Sequence, residues 1–130
     1  RNCSFRHNVI GSGMGGALSF TFQNFQIFLS DCIFLGNIVE AGDGGAVHLD
    51  KDNSDVLIHG CIFEGNAAMI GTGGAIYFHS HNIMCKIEDG VFRNNFACEN
   101  GGALSLVTDN YNVKVNRCNF ASNFAKESGY

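Results

Sequence analysis

Hydrophobic and polar residues alternate with a period of two along most of the chain, a pattern typical of β-strands and not of α-helices. Three short alternating segments recur in a fixed order. The first follows a pair of glycines, as in residues 17–20; the second holds apolar pairs such as Ile27 and Leu29; the third is a Cys-x-Phe motif, as at Cys3 and Phe5. Between the second and third segments the alternation slips by one residue. Because such a slip turns side chains to the opposite face, it predicts a corner there.

Two sequence motifs repeat with the same period over the whole chain. Phe-x-x-Asn occurs five times at spacings of 29, 29, 29 and 28 residues, and Gly-Gly-Ala occurs four times at spacings of 29, 29 and 28 residues. Both motifs lose one residue between the third and fourth units, so they belong to one structural repeat. The motif positions are Phe5, Phe34, Phe63, Phe92 and Phe120; Asn8, Asn37, Asn66, Asn95 and Asn123; and Gly15, Gly16, Gly44, Gly45, Gly73, Gly74, Gly101 and Gly102.

Three strands in a unit of 28 or 29 residues describe one coil of a solenoid. One coil cannot bury its own apolar face, whereas coils stacked about 4.8 Å apart bury a continuous core. The sequence therefore predicts an all-β fold, a right-handed parallel β-helix with three short parallel sheets and about four and a half coils. The predicted coils of this single segment span residues 1–29, 30–58, 59–87, 88–115 and 116–130, the last of them partial.

Stacking of identical residues on successive coils explains why the motif residues recur. The phenylalanines are predicted to form one aromatic column in the core, with their rings offset-stacked. The asparagines follow three residues later at a turn, where Asn tolerates a left-handed backbone and stacked amides can bond from coil to coil. The paired glycines indicate positive φ angles or a corner that is too tight for a side chain. All of these predicted roles are structural.

The combination of Gly-Gly-Ala, followed by Ile, Leu or Val, with Phe-x-x-Asn resembles the passenger repeats of the chlamydial polymorphic outer-membrane proteins. Similar repeats occur in surface proteins of some protists and other microbes. The resemblance extends over nearly the whole chain. It implies a right-handed β-helical passenger that is displayed outside the cell and is often adhesive. The residues that the resemblance transfers are the motif residues themselves, which are structural.

Six cysteines are present, and four of them, Cys3, Cys32, Cys61 and Cys118, occupy the Cys-x-Phe position. Their side chains are expected to face the core, where a buried cysteine acts as a small hydrophobe. We therefore expect free, stacked thiols. A Cys3–Cys32 or a Cys32–Cys61 disulfide is the alternative, because adjacent coils lie within disulfide distance, although the two bonds compete for Cys32.

Polar residues at the ends of the second and third Gly-Gly-Ala strands are the most chemically suggestive set. Asp50 and His79 occupy one coil position, and Asp52 and His81 occupy another, two residues later. If the chain stays extended there, the four side chains form a quadrilateral that could bind a divalent metal or supply acid–base groups to a polysaccharide-cleaving β-helix. A solvated polar face explains the same residues and is the interpretation we favour, so we predict no catalytic residue, metal or cofactor.

Charge and composition exclude several classes of function. The chain has 130 residues, with 8 Lys and Arg, 12 Asp and Glu and a formal net charge of −4, which argues against binding to nucleic acid. No apolar run approaches the roughly 18 residues of a membrane-spanning helix, so we predict no membrane insertion by this segment. Positions outside the motifs differ from coil to coil while motif positions repeat, which favours a scaffold over a catalyst.

These observations predict a non-enzymatic structural protein, extracellular or at the cell surface: a β-helical rod in an adhesin, or a protomer of a surface or secreted fibre. The array stops in mid-coil at Ser128-Gly129-Tyr130, without polar caps of its own. Because unpaired strand edges invite association, the expected partners are a second copy stacked head to tail or neighbouring coils of a longer chain. Glycans or a host surface are further candidate partners. The alternative functions are a carbohydrate-active β-helix enzyme and a glycan- or receptor-binding module.

Overall fold

The structure, a computed structural model, describes residues 1–126, which form 18 short β-strands in four parallel sheets. The chain visits the four sheets in turn and then returns to the first, so every strand pairs with the equivalent strand of the next coil. The described residues make four complete coils and half of a fifth. Ser128, Gly129 and Tyr130, at the end of the predicted partial coil, lie outside the described residues.

The first and second sheets have five strands each. The first sheet contains β1 (Ser4–Arg6), β5 (Ile33–Leu35), β9 (Ile62–Glu64), β13 (Val91–Arg93) and β17 (Asn119–Ala121). The second sheet contains β2 (Val9–Ser12), β6 (Ile38–Ala41), β10 (Ala67–Ala68), β14 (Phe96–Ala97) and β18 (Phe124–Ala125).

The third and fourth sheets have four strands each. The third sheet contains β3 (Leu18–Phe22), β7 (Val47–Lys51), β11 (Ile76–Ser80) and β15 (Leu104–Thr108). The fourth sheet contains β4 (Phe25–Ser30), β8 (Ser54–His59), β12 (Ile83–Glu88) and β16 (Lys114–Asn116).

The predicted parallel β-solenoid is confirmed, but the prediction of three sheets is wrong, since the described residues form four. The second sheet is the one that the alternation did not reveal. Its strands have only two to four residues and at most two buried side chains: β6 and β14 contain one each, Val39 and Ala97, and β2 and β18 contain none. A single inward residue cannot display a period of two, so the sequence pattern does not mark these strands.

Residues with left-handed backbone mark the corners between sheets. At the predicted corner between the fourth and first sheets, Asp31 and Asp89 have φ angles of 55° and 54°. Between the first and second sheets, the residue before each motif asparagine is left-handed, from His7 to Ser122. The left-handed residue is therefore the neighbour of the asparagine and not the asparagine itself, whose side chain lies against the stacked coils.

The motif asparagines form a continuous hydrogen-bonded ladder along the solenoid. From Asn8 to Asn123, each side-chain Nδ2 donates to the Oδ1 of the asparagine on the next coil at 2.8–3.0 Å. The same Oδ1 accepts a second bond from the preceding asparagine's backbone nitrogen. The Nδ2 group also donates to the motif phenylalanine one coil back, as from Asn66 to the Phe34 carbonyl at 3.0 Å. The ladder thus satisfies amides that are fully buried at Asn37 and Asn66.

A second asparagine ladder, which the sequence analysis did not identify, lies between the third and fourth sheets. It contains Asn24, Asn53, Asn82 and Asn110, linked from Nδ2 to Oδ1 at 2.8–3.0 Å. These residues are spaced by 29, 29 and 28 positions, so the period could have revealed them. Two corners of each complete coil are therefore joined to a neighbouring coil by asparagine amides, which are buried at both corners of the two central coils.

The motif phenylalanines stack in the core with centroids 4.6–4.9 Å apart and ring planes within 9° of parallel. The rings of Phe34, Phe63 and Phe92 are completely buried. Aliphatic residues from the third and fourth sheets complete the interior, including Leu49 and Ile58. Because each coil contributes to the same columns, the core is continuous along the axis.

The two glycines of each Gly-Gly pair serve different purposes. The first adopts a positive φ, as at Gly44 (69°) and Gly73 (71°). The second lies so close to the next coil that a Cβ atom at Gly74 would overlap the carbonyl oxygen of Gly102. Both explanations of the glycine pair, positive φ and steric exclusion, therefore apply, each to a different glycine.

Replacing Asn66 by Ala should destabilise the protein by about 3 kcal/mol, because buried partners on both neighbouring coils lose their hydrogen bonds. Urea unfolding followed by circular dichroism measures this change. The matched control, Asn119→Ala, removes an exposed side chain from β17 and should cost no more than about 0.5 kcal/mol. Equal effects of the two substitutions would contradict a structural role for the ladder.

Replacing Gly74 by Ala should cost roughly 4 kcal/mol or more, since its Cβ would collide with backbone atoms that cannot move away. The control is Gly65→Asn, at a glycine with φ of 63° and no atom within 4 Å of the place that a Cβ would occupy. Asn94 occupies the equivalent corner with φ of 56°, so this substitution should stay within about 1 kcal/mol of the parent. Thermal unfolding of both variants tests the steric explanation, which a stable Gly74→Ala protein would exclude.

Candidate functional site on the outer face of the third sheet

The outer face of the third sheet carries a column of polar and aromatic residues. The strand register aligns Ser19, His48, Tyr77 and Ser105 on four successive coils. They alternate with core residues along each strand, so the strand geometry turns them outward. The His48 and Tyr77 rings stack with centroids 5.2 Å apart, and the ring of His79 lies 6.0 Å from that of Tyr77.

His48 is buried although it lies outside the core. Only 1% of the residue is exposed, and neither ring nitrogen has a hydrogen-bond partner. The glycine corner covers it, since a side chain at Gly15 or Gly44 would crowd its Cβ. Burial lowers the pKa of His48, and this effect outweighs the attraction of Asp50 and Asp43 for a proton. Burial therefore favours the neutral form of the imidazole.

The structure brings together one pair of the four predicted Asp and His residues. His79 Nδ1 lies 2.7 Å from Asp50 Oδ1, and both side chains are partly exposed. Asp52 and His81 lie beyond the strand ends with φ angles of 55° and 54°, so the chain is not extended there. His81 instead faces Asp109 at 3.8 Å. The quadrilateral does not form, and residues 1–126 contain no group of three or more His, Cys, Asp or Glu that could hold a metal ion.

A groove of about 560 Å³ lies beside Tyr77, between the third sheet and the segments that precede the glycine pairs. Tyr77 and Ser105, which occupy equivalent positions on neighbouring strands, both line it. The polar residues that line it are Asp43, Thr72, Tyr77, Glu99, Asn100 and Ser105. Three successive coils therefore contribute to one concave polar surface.

Hydrogen bonds fix the acidic rim of this groove. The backbone nitrogen of Thr72 donates to Asp43 Oδ1 at 2.8 Å, and its hydroxyl donates to Glu99 Oε2 at 3.3 Å. Burial, followed by the negative charges of Asp43, Asp50 and Glu99, raises the pKa of Tyr77. The Tyr77 hydroxyl is therefore a proton donor in a region of negative potential.

The sequence analysis did not identify the residues of this rim. Asp43, Thr72 and Asn100 stand directly before the glycine pair on successive coils, and that constant position was the available signal. Their side chains differ in chemistry, so periodicity of residue type did not group them. Only the folded corner brings them beside Tyr77 and Ser105.

A second cavity, of about 340 Å³, lies on the outer face of the fourth sheet. Phe28, Leu57 and Met84 supply its apolar lining, together with polar residues such as Lys86. Phe25 and Phe28 are 70% and 60% exposed beside it. The lining of this cavity therefore combines apolar and charged side chains.

All six cysteines are free thiols in the structure. The thiol of Cys32 donates to the Ser30 carbonyl at 3.3 Å, and that of Cys61 donates to the His59 carbonyl at 3.4 Å. Burial raises the pKa of Cys61 and Cys85 to about 11, so their nucleophilic thiolate forms are scarce near neutral pH. These buried thiols act as parts of the core.

Residues 60–79 and 89–106 match the family model of the Chlamydia polymorphic membrane protein repeat. The two matched segments belong to successive units, and each contains both Phe-x-x-Asn and Gly-Gly-Ala. The resemblance to the chlamydial repeats is thus confirmed at these two repeats. Comparison with curated proteins and with solved structures gives no match.

The described residues include no helix with the length and apolar character that crossing a membrane requires.

The stability of the protein should fall as the pH decreases below about 6.5, the ordinary pKa of histidine. The pKa of folded His48 is lowered, so the unfolded chain takes up a proton that the folded protein does not. The facing groups are Asp43, Asp50, His79 and Tyr77. Urea unfolding at about pH 7.5 and about pH 5.5 measures the loss, which His48→Phe should reduce while keeping the ring stack. An unchanged pH dependence in His48→Phe would rule out His48 as its source.

Proposed function

We propose that this chain is an extracellular, non-enzymatic β-helical rod within a cell-surface adhesin or fibre. The observation that carries the proposal is the stacking of the same core residues on every coil, in one aromatic column and two asparagine ladders. The β-solenoid fold and the matched Chlamydia polymorphic membrane protein repeats fit a β-helical rod of a surface protein.

The proposed mechanism is mechanical. Each coil adds about 4.8 Å to the axis, so four and a half coils extend roughly 20 Å and further repeats lengthen the rod in equal steps. Neighbouring coils are joined by parallel strand pairing in every sheet and by buried amides. Bending the axis would disturb several of these columns at once, which supports a stiff spacer.

The edges of the outermost described coils suit contact with another coil. Phe120 is 46% exposed, whereas Phe92, one coil earlier in the same column, is completely buried. An additional coil would cover the Phe120 ring and pair the free strand edges. Neighbouring coils of a longer chain or a second copy stacked head to tail are the proposed partners.

Negative-stain electron microscopy of the native protein tests the rod. We expect straight particles of constant width whose length corresponds to the number of repeats at about 4.8 Å per coil. Protease treatment of intact cells should remove the rod if it is displayed outside. Rounded particles, or a rod that is protected until the cells are lysed, would each contradict one part of the proposal.

A carbohydrate-active enzyme is the second candidate, because Asp50 and His79 form a close pair with acid–base chemistry. A reducing-end assay of the native protein on pectin, alginate and chitin tests it. The rod proposal predicts the same background release of reducing ends from the parent and from Asp50→Asn. Release by the parent that Asp50→Asn abolishes would establish the enzyme and overturn the non-enzymatic proposal.

A further inference from the structure

The outer face of the fourth sheet carries two columns of unlike residues beside one cavity. On three successive strands, one column contains Phe28, Leu57 and Lys86, and the other, two residues earlier, contains Gln26, Asp55 and Met84. The members of the second column all have a left-handed backbone, with φ angles of 52–56°. The cavity that both columns line has a volume of about 340 Å³, within the roughly 300–1,000 Å³ of small-molecule sites.

Phe28 presents an accessible aromatic ring at this cavity. The residue is 60% exposed, whereas the phenylalanines of the core column, such as Phe34 and Phe63, are completely buried. Phe28 also lines a smaller cavity of about 150 Å³, so concave surfaces adjoin this residue on two sides. Among residues 1–126, no other ring stacks on Phe28. A ring-shaped ligand can therefore contact it.

Polar groups around the same cavity are available to a ligand. In the part of the chain that the structure describes, the side chains of Gln26, Asp55 and Lys86 make no hydrogen bond or ion pair. All three residues are exposed. They supply an amide, a carboxylate and an ammonium group, so hydrogen-bond donors and acceptors lie beside the apolar surface of Phe28 and Leu57.

The chemistry of the lining distinguishes among ligands. A pyranose ring has C–H groups on its faces, which can contact the negative face of an aromatic ring, and hydroxyl groups at its edge, which donate and accept hydrogen bonds. The charged groups of the cavity are one ammonium, from Lys86, and two carboxylates, from Asp55 and Glu88, which together leave a formal charge of −1. Sulfated and acidic sugars are therefore disfavoured.

We propose that the cavity on the outer face of the fourth sheet binds a neutral pyranose ring of a glycan. The sugar stacks on the exposed ring of Phe28, and its hydroxyl groups bond Gln26, Asp55 and Lys86. This inference goes beyond the proposed rod, because it gives one face of the solenoid a ligand and names the residues that recognise it.

The native protein should be applied to a microarray of defined oligosaccharides ending in galactose, mannose, glucose or N-acetylglucosamine, with heparin as an acidic probe. We expect binding to one or more neutral termini and none to heparin. Calorimetry with the best soluble oligosaccharide then gives the affinity. No binding to any neutral probe, or binding to heparin alone, would overturn the proposal.

Phe28→Ala should weaken binding of that oligosaccharide by roughly tenfold or more, because the sugar loses the ring on which it stacks. The matched control is Phe25→Ala, which removes the same ring from the same strand at a residue that is 70% exposed but does not line the cavity. It should leave the affinity unchanged. Equal affinities of the two variants, with melting temperatures close to that of the parent, would contradict the site.

Asp55→Asn tests recognition of the hydroxyl groups. Asn tolerates the left-handed backbone of this residue, so the variant should fold like the parent. It should weaken sugar binding by about threefold or more, because a hydrogen bond to a charged acceptor becomes a weaker one to an amide. An unchanged affinity in Asp55→Asn would contradict the proposed contact between this carboxylate and the sugar.

Phosphatidylcholine vesicles are the competing probe for the same exposed apolar surface. We expect no binding of the parent to these vesicles in a flotation assay. If the vesicles bind, no sugar does, and both Phe25→Ala and Phe28→Ala abolish the binding, the surface is a lipid-binding one and the proposal is wrong. Electron microscopy of the same variants reports the rod separately, so absence of sugar binding with intact rods overturns the site and not the rod.

Discussion

Hydrogen bonding between buried asparagine amides is the constraint on which the rest of this structure depends. A buried amide without partners is costly, so each motif asparagine requires a matching asparagine at the same position on the next coil. This requirement fixes the coil length at 28 or 29 residues and keeps the strands in register. The aromatic column follows, because the same register places one phenylalanine above another at 4.6–4.9 Å. The glycine corner follows as well, since successive coils approach too closely there for a Cβ atom.

The parts of the fold that the sequence predicts are those in which identical residues stack. Phe63 and Asn66 recur at a constant period, so they identify the coil, and the alternation around Ile27 and Leu29 identifies a strand. The second sheet escaped prediction because its strands are too short to alternate, as at Ala67–Ala68. The second asparagine ladder was not predicted, because no aromatic residue stands at a fixed distance from Asn53 and its equivalents. Periodicity alone reveals it, whereas residue pattern within one coil does not.

Identical residues do not stack on the outer surface, so its candidate site could not be predicted from repetition. Asp50 and His79 face each other because they share a strand position, which sequence alignment of the coils indicates. Asp52 and His81 also share a coil position, but both have a left-handed backbone at the corner and do not continue the strand. Their residue types do not predict this backbone conformation. The groove beside Tyr77 is lined by unlike residues from three coils. Stacking of like residues therefore builds the solenoid, and departures from that repetition create the Asp50–His79 pair and the groove on its outer surface.

Hydrogen exchange of the asparagine side-chain amides, measured by nuclear magnetic resonance on the native protein, tests the asparagine ladder most directly. The ladder predicts that the Nδ2 hydrogens of Asn37, Asn66 and Asn95 exchange only when the solenoid opens, as slowly as the backbone amides of the central strands. The side chain of Asn119 is exposed and should exchange at the rate of a free amide. Rapid exchange at all four asparagines, with the backbone amides still protected, would contradict the ladder as the interaction that holds the coils in register.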